Sequence, residues 1–254
     1  MQYAIRDGAR VEPLPGQTAL CPVCDSDVLA KCGSINAWHW SHRNRRDCDS
    51  WSEGETQWHR DSKSRFPCQW REVVVGQHRA DIQTPRCVIE VQLSQLSPAA
   101  IAEREIFYGD MIWVVEASDF NLEIQDLGSH LKFRWKHPRK TWWWAQKPLF
   151  FDLGDQLLHV KKLYANLPCH GWGQFISYEN FVCRFSKPRP GQQFCECCMK
   201  SLPKNALMST GMTEYYQLDL DPETLACWSC LDRLKCARIP DDLDLCDVYT
   251  PMAV

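Results

Sequence analysis

The sequence predicts a mixed α/β (α+β) protein: a mixed sheet flanked by helices, with a zinc-bound segment at either end. Three observations predict it. Residues 51–117 read as helix, strand, strand, strand, helix, strand. Paired Cys and His residues precede this stretch, and paired Cys residues return near the C-terminus. A hydrophobic share of 44% in 254 residues is enough to build a core. We divide the chain into a zinc-finger-like segment at 1–50, a central domain at 51–147 and a Cys-rich domain at 148–254.

Residues 1–50 are short, irregular and rich in Cys and His. From Trp51 to Phe66 there is no Pro and a single Gly, and Glu55, His59 and Lys63 recur every four residues, which places them on one helix face. Gln69 to Val75 reads as a strand that Gly76 breaks. Val88 to Leu93 reads as another, with Ile89, Val91 and Leu93 on one face and Val88, Glu90, Gln92 and Ser94 on the other. Thr84-Pro85-Arg86 gives a turn signal before it. In a hairpin, Asp81 would lie close to Glu90, and two such carboxylates repel unless a cation joins them. Ser97 as N-cap, Pro98 at the first helical position and Gly109 past the end delimit the second helix. Met111 to Ala117 is apolar enough for a buried strand. Residues 148–190 read as short strands with loops. The C-terminal stretch carries an acidic patch, Asp241, Asp242, Asp244 and Asp247.

Composition narrows the function classes. The formal net charge of −3 gives no overall sign of a nucleic-acid binder, so such evidence must be local. The start, MQYAIRDGAR, is unlike a signal peptide, and no apolar run of about 18 residues occurs, so a cytoplasmic protein without a membrane span is expected. Fifteen Cys in such a setting favour metal ligation over disulfides.

Two clusters have metal-ligand spacing. Cys21 and Cys24, then His39 and His42, form a two-cysteine, two-histidine set suited to tetrahedral zinc; Cys32 and Cys48 are spare thiols able to replace one of the four. Cys195 and Cys198, then Cys227 and Cys230, form a four-cysteine zinc set with no open position for catalysis, with Cys197 as the alternative ligand. Twelve Trp suggest stacking surfaces or a Trp-rich core. The run Lys132, Arg134, Lys136, Arg139 and Lys140 is basic, and Trp142, Trp143 and Trp144 follow. Basic groups neutralise phosphates and indoles stack on unpaired bases, so this stretch suits single-stranded or branched DNA, the alternative being a basic hairpin whose indoles pack inward. Arg45 and Arg46 are a second phosphate-contact candidate, the alternative being a solvated loop.

The element order with acids on the second and third strands resembles the PD-(D/E)XK nuclease core. Its motif here is Asp81, then Glu90-Val91-Gln92, with Gln92 at the usual lysine position. More narrowly, the CPVC and HWSH pairs, the Glu55/His59/Lys63 helix, the RADI and IEVQLS strands and the helix with Arg104 and Tyr108 resemble the competence-protein CoiA-like family. The resemblance covers about residues 1–117. It implies an active centre at Asp81, Glu90 and Gln92, supported by Glu55 and His59. Hard carboxylate oxygens suit Mg²⁺ or Mn²⁺, which would polarise a phosphate and activate water. Gln92 cannot supply lysine's charge, so Lys63, Arg79 or a second metal must. The expected activity is metal-dependent DNA hydrolysis; the rivals are an inactive zinc-stabilised DNA-binding accessory and a zinc-scaffolded protein-interaction factor. The C-terminal domain is free to take a protein partner.

Overall fold

The structure is a computed structural model, and it describes residues 1–43, 48–51, 54–136, 139–164 and 169–187, with the strand segments 193–194, 201–202, 207–209 and 225–227. It is a mixed α+β protein with three α-helices among the described residues. Two compact units are present: Met1–Arg86 with Ser186–Val254, and Cys87–Phe185.

The first unit opens with an antiparallel sheet of β1 (Ala4–Arg6), β2 (Ala9–Val11), β3 (Thr18–Leu20), β4 (Asp27–Lys31) and β5 (His39–His42), in the order β2-β1-β3-β4-β5. Arg6 pairs Ala9, so Asp7 and Gly8 form a two-residue loop, and both have positive φ (52° and 79°). That is the turn whose twist matches antiparallel strands, and it explains an Asp-Gly here. The sheet buries a small core of Ala4, Ala19, Cys21, Val28 and Trp40. Helix α1 (Gln57–Ser64) follows, capped by Thr56, whose hydroxyl accepts from the His59 amide. Then come β6 (Arg71–Val75) and β7 (His78–Gln83), an antiparallel pair. Two short ladders complete the unit: β15 (Gln193–Phe194) with β16 (Ser201–Leu202), and β17 (Leu207–Ser209) with β18 (Leu225–Cys227).

The second unit starts with β8 (Val88–Gln92), α2 (Pro98–Tyr108) and β9 (Met111–Glu116). Strands β8 and β9 are parallel, and α2 is the crossover that a parallel pair requires. As expected, Ser97 caps α2 and Gly109 follows it at φ 66°. The chain continues through β10 (Leu122–Asp126), β11 (Leu131–Trp135), β12 (Leu149–Asp152), β13 (Leu157–Tyr164), β14 (His170–Ile176) and α3 (Tyr178–Phe185). Strand order within the unit is β10-β11-β14-β13-β12-β9-β8. Every residue of β8 and β12 is buried, so both faces of these strands are covered. The core includes Ile89, Trp113, Trp135, Phe150, Phe151 and Leu158.

The helix, strand, strand, strand, helix, strand order expected for 51–117 is the order observed. The reading of 148–190 as short strands with loops missed α3 and the eight-residue β13. The signal for α3 was Ser177, whose hydroxyl accepts from the Asn180 amide at 3.2 Å as a helix cap does.

Candidate metal centre and acidic sites

The first metal cluster is built by the β3–β4 turn. The Asp25 amide donates to the Cys21 carbonyl (2.9 Å), Asp25 sits at φ 55°, and the turn brings Cys21 and Cys24 together. The Val23 amide points at Cys21 Sγ, at 3.4 Å. Cys21, Cys24, His42 and Cys48 present donor atoms that all lie within 4.8 Å of one another. Cys21 Sγ is 3.6 Å from Cys48 Sγ, and Cys24 Sγ is 3.4 Å from His42 Nε2. A tetrahedral zinc with bonds of about 2.0–2.3 Å has ligand-to-ligand edges of roughly 3.3–3.8 Å. The set therefore fits one zinc ion with three cysteine ligands and one histidine. The Cys24 thiol is lowered to about 6: desolvation, its largest influence, acts upward, but hydrogen bonds with Ser26 and His42 outweigh it. Burial pushes the Cys21 and Cys48 thiols up, so their thiolates need a cation beside them.

His39 is not part of this set. It lies on β5 three residues before His42, and residues an odd number apart on a strand face opposite ways. Its Nδ1 instead lies 2.8 Å from the Ala37 carbonyl. Cys48 takes its place. Asp49 fixes the segment that carries Cys48: it is buried, its Oδ1 is 2.9 Å from His78 Nδ1, and its Oδ2 accepts from the Arg79 amide at 3.0 Å. Trp51 stacks on the His78 ring at 3.3 Å. The metal cluster and β7 are thus tied by one carboxylate. Of the four-cysteine set, Cys195, Cys198 and Cys230 lie outside the described residues, as does the side chain of Cys227.

His59 and Lys63 share a face of α1 as expected, but Glu55 lies before the helix and its Thr56 cap; its carboxylate still reaches Lys63, the centre of the group. The Lys63 side chain is 1% exposed; its ammonium lies 2.8 Å from Glu55 Oε1 and 2.6 Å from Glu72 Oε1. Burial pushes Lys63 down, but the charges of Glu72, Glu55 and Asp81 outweigh it and hold the ammonium above its ordinary value. Burial pushes Glu72 up, yet Lys63 and Arg79 win and hold its carboxyl well below the usual range. Glu72 also accepts from the amides of Gln2 (2.9 and 2.8 Å) and Tyr3 (3.3 Å), with Arg79 Nε at 3.6 Å. Sequence reasoning missed Glu72. It sits in a strand at φ 49°, a conformation that no residue pattern announced. His59 is buried, with Nδ1 2.7 Å from the Thr56 hydroxyl. Asp81 is half-buried on β7.

In the second unit, Glu90 and Gln92 are buried on β8. Arg104, on α2, donates to Glu90 Oε2 (3.4 Å) and to the Gln92 amide oxygen (3.0 Å). Gln92 Nε2 donates to the Ser94 carbonyl and hydroxyl, at 3.2 and 3.1 Å. Glu105, one residue further along α2, is structural: it accepts from Trp113 Nε1 and from the Gln146 and Lys147 amides, all within 3.0 Å.

The basic–aromatic stretch divides differently from the expectation. Trp142 is fully buried, edge-on to Trp113 at 5.4 Å, and Trp143 is half-buried against Trp135 at 6.0 Å. They pack the core because the turn at 140–144 folds under α2, held by Glu105; Trp142 is closed to a base. Arg139 donates to the Leu93 carbonyl at 2.9 Å and lies over the Phe120 ring. Lys136 is exposed and paired with Glu123 at 2.7 Å. Lys132 and Arg134 alternate with buried residues on β11 and are exposed. The side chain of Lys140, and Arg45 and Arg46, lie outside the described residues.

Comparison with known proteins bears on the first cluster. Residues 12–51 match the family model of the competence protein CoiA N-terminal domain. The match spans β3, β4 and β5 and all four donors of the zinc-compatible set, and it supports the CoiA resemblance. No curated protein matches the chain, and no solved structure does. No helix among the described residues is long and apolar enough to cross a membrane.

Proposed function

We propose that the chain is a metal-dependent DNA nuclease of CoiA type, with a competence-related role in DNA processing. The family match at residues 12–51 supports the competence relation. The observation that carries the nuclease reading is Lys63. A phosphodiester-cutting centre of this kind needs a fixed cation to offset charge, and Gln92 cannot provide one. Lys63 is buried, stays protonated, and lies in the field of Asp81. It is the side chain we assign to that role.

Asp81 and Glu90 are the carboxylates this reading assigns to Mg²⁺ or Mn²⁺, and their hard oxygens suit such ions. Bound there, the ion would polarise the phosphate and lower the pKa of the attacking water. The protein's own part is positioning. Arg104 orients Glu90 and turns the Gln92 amide so that its NH2 faces Ser94. Glu55 fixes the Lys63 ammonium, and His59 braces the start of α1 through Thr56.

One observation favours the second reading, an inactive zinc-stabilised DNA-binding accessory. Both ends of the Gln92 amide are engaged by protein groups, which competes with orienting a water. Incubating single-stranded, duplex and branched DNA with the chain in Mg²⁺ or Mn²⁺ separates the two. The nuclease reading expects cutting by wild type and none by Glu90→Ala at equal zinc content. Binding without cutting by wild type would give the accessory reading the field.

A further inference from the structure

The outer strands of the second unit carry an exposed face that the reading above does not use. Strand register sets it out in two rows, since directly opposed residues share a face. One row runs Glu123, Arg134, His170, Tyr164; the other runs Gln125, Lys132, Trp172, Lys162. Between them lies an open groove of about 1040 Å³, lined by Lys132, Arg134, His170, Trp172 and Tyr164 among others.

A local irregularity builds this face. Leu158 and Val160 of β13 point into the core. By simple alternation Lys162 and Tyr164 would follow them inward. The register shifts between Val160 and Lys162, one residue is bulged, and Lys162 and Tyr164 emerge on the solvent side beside Trp172 and His170. On the opposite face, Gly171 and Gly173 leave room that a side chain would take: a Cβ on Gly171 would meet the Phe133 ring at 2.5 Å, and one on Gly173 the His159 carbonyl at 2.4 Å.

Charge and shape select the occupant. The one acid in the two rows, Glu123, is paired with Lys136. Among the described residues no carboxylate lies within ion-pair distance of Lys132, Arg134 or Lys162. Flat rings alternate with these cations: Tyr164 stacks with His170 at 4.8 Å, and Trp172 meets His130 edge-on at 5.7 Å. An acidic peptide would use the charges but not the rings. A duplex hides the faces of its bases. We propose that this face binds single-stranded nucleic acid, with Trp172 and Tyr164 stacking on unpaired bases and Lys132, Arg134 and Lys162 meeting phosphates. The proposal concerns binding and does not depend on hydrolysis.

The test is fluorescence anisotropy of the full chain with labelled oligodeoxythymidine, oligouridine and a duplex, with no divalent cation added. Wild type is expected to prefer a single-stranded probe over the duplex; which of DNA and RNA binds tighter names the natural strand. The double variant Lys132→Glu, Arg134→Glu should bind at least about tenfold more weakly, with a salt dependence flatter by roughly 0.7 per lost phosphate contact. Trp172→Ala should weaken binding about 5- to 150-fold, and Trp172→Phe should retain most of it. If circular dichroism shows Trp172→Ala to be unfolded, Tyr164→Ala, at an exposed ring, decides instead. Preference for the duplex, no binding by wild type, or unchanged affinity in the charge-reversed variant would overturn the proposal. A chain that binds through these residues without cutting DNA upholds it and counts only against the nuclease reading.

Discussion

At the residue scale, the account turns on buried charge. Lys63, Glu55 and Glu72 are withdrawn from water together, and removing one member leaves another uncompensated. Lys63→Met should therefore cost about 3–5 kcal/mol in urea denaturation, the range for breaking a buried pair. A loss under about 1 kcal/mol, the worth of an exposed pair, would contradict the reading of Lys63 as the essential partner of these carboxylates. The pH dependence follows from the directions of shift. Glu72 is held below its unfolded value, so its contribution is complete above about pH 4.5 and fades as pH falls through the depressed folded value. Lys63 is held above its unfolded value, so its contribution is complete below about pH 10.4 and fades as pH rises through the raised folded value. Between those limits neither Glu72 nor Lys63 should itself add slope to a stability–pH curve. Sequence alone showed half of this. The four-residue spacing announced the face that His59 and Lys63 share, but Glu55 reaches Lys63 from before the helix, and Glu72 pairs with Lys63 through a positive-φ distortion that spacing does not encode.

At the element scale, strand parity explains both the success and the failure of the zinc reading. The CPVC pair was legible because a tight turn keeps two thiols together whatever follows. The HWSH pair misled because His39 and His42 would converge on a helix, whereas β5 sends them to opposite faces. Cys48 belongs to no paired motif, and it is placed by Asp49 gripping His78 and the Arg79 amide. The prediction is sharp: Cys48→Ser should lose one equivalent of zinc relative to wild type, and His39→Ala should lose none, by metal analysis of purified protein. The reverse pattern would restore the two-cysteine, two-histidine set. Trp142 shows the same limit, whereas Trp144 is exposed. The run's composition suited base stacking, but Glu105 pins the Gln146 and Lys147 amides and Trp142 turns inward. The β13–β14 ladder offers a further check. A Cβ at Gly173 would stand 2.4 Å from a backbone oxygen that has no side chain to swing aside, so Gly173→Ala should destabilise by roughly 1–3 kcal/mol.

At the scale of the whole molecule, the element order of 51–117 was readable because its cues are local: the Ser97 cap, Pro98, Gly109 and the alternation along β8. The strand order of the second unit was not, since it depends on pairings between distant segments such as β11 with β14. The central claim is the proposed hydrolysis, in which Asp81 and Glu90 are the assigned carboxylates, Lys63 the assigned cation, and a divalent ion would activate water. The most direct measurement is the single-turnover rate of DNA cleavage in Mg²⁺ or Mn²⁺ for wild type and for Asp81→Asn, a change that removes charge and keeps shape. Both proteins would be matched for zinc content and DNA occupancy. The account predicts metal-dependent cutting by wild type and a fall of about a hundredfold or more in the variant, on the order of an essential electrostatic group. Equal rates in the two proteins, or no cutting by zinc-loaded, DNA-bound wild type, would contradict it.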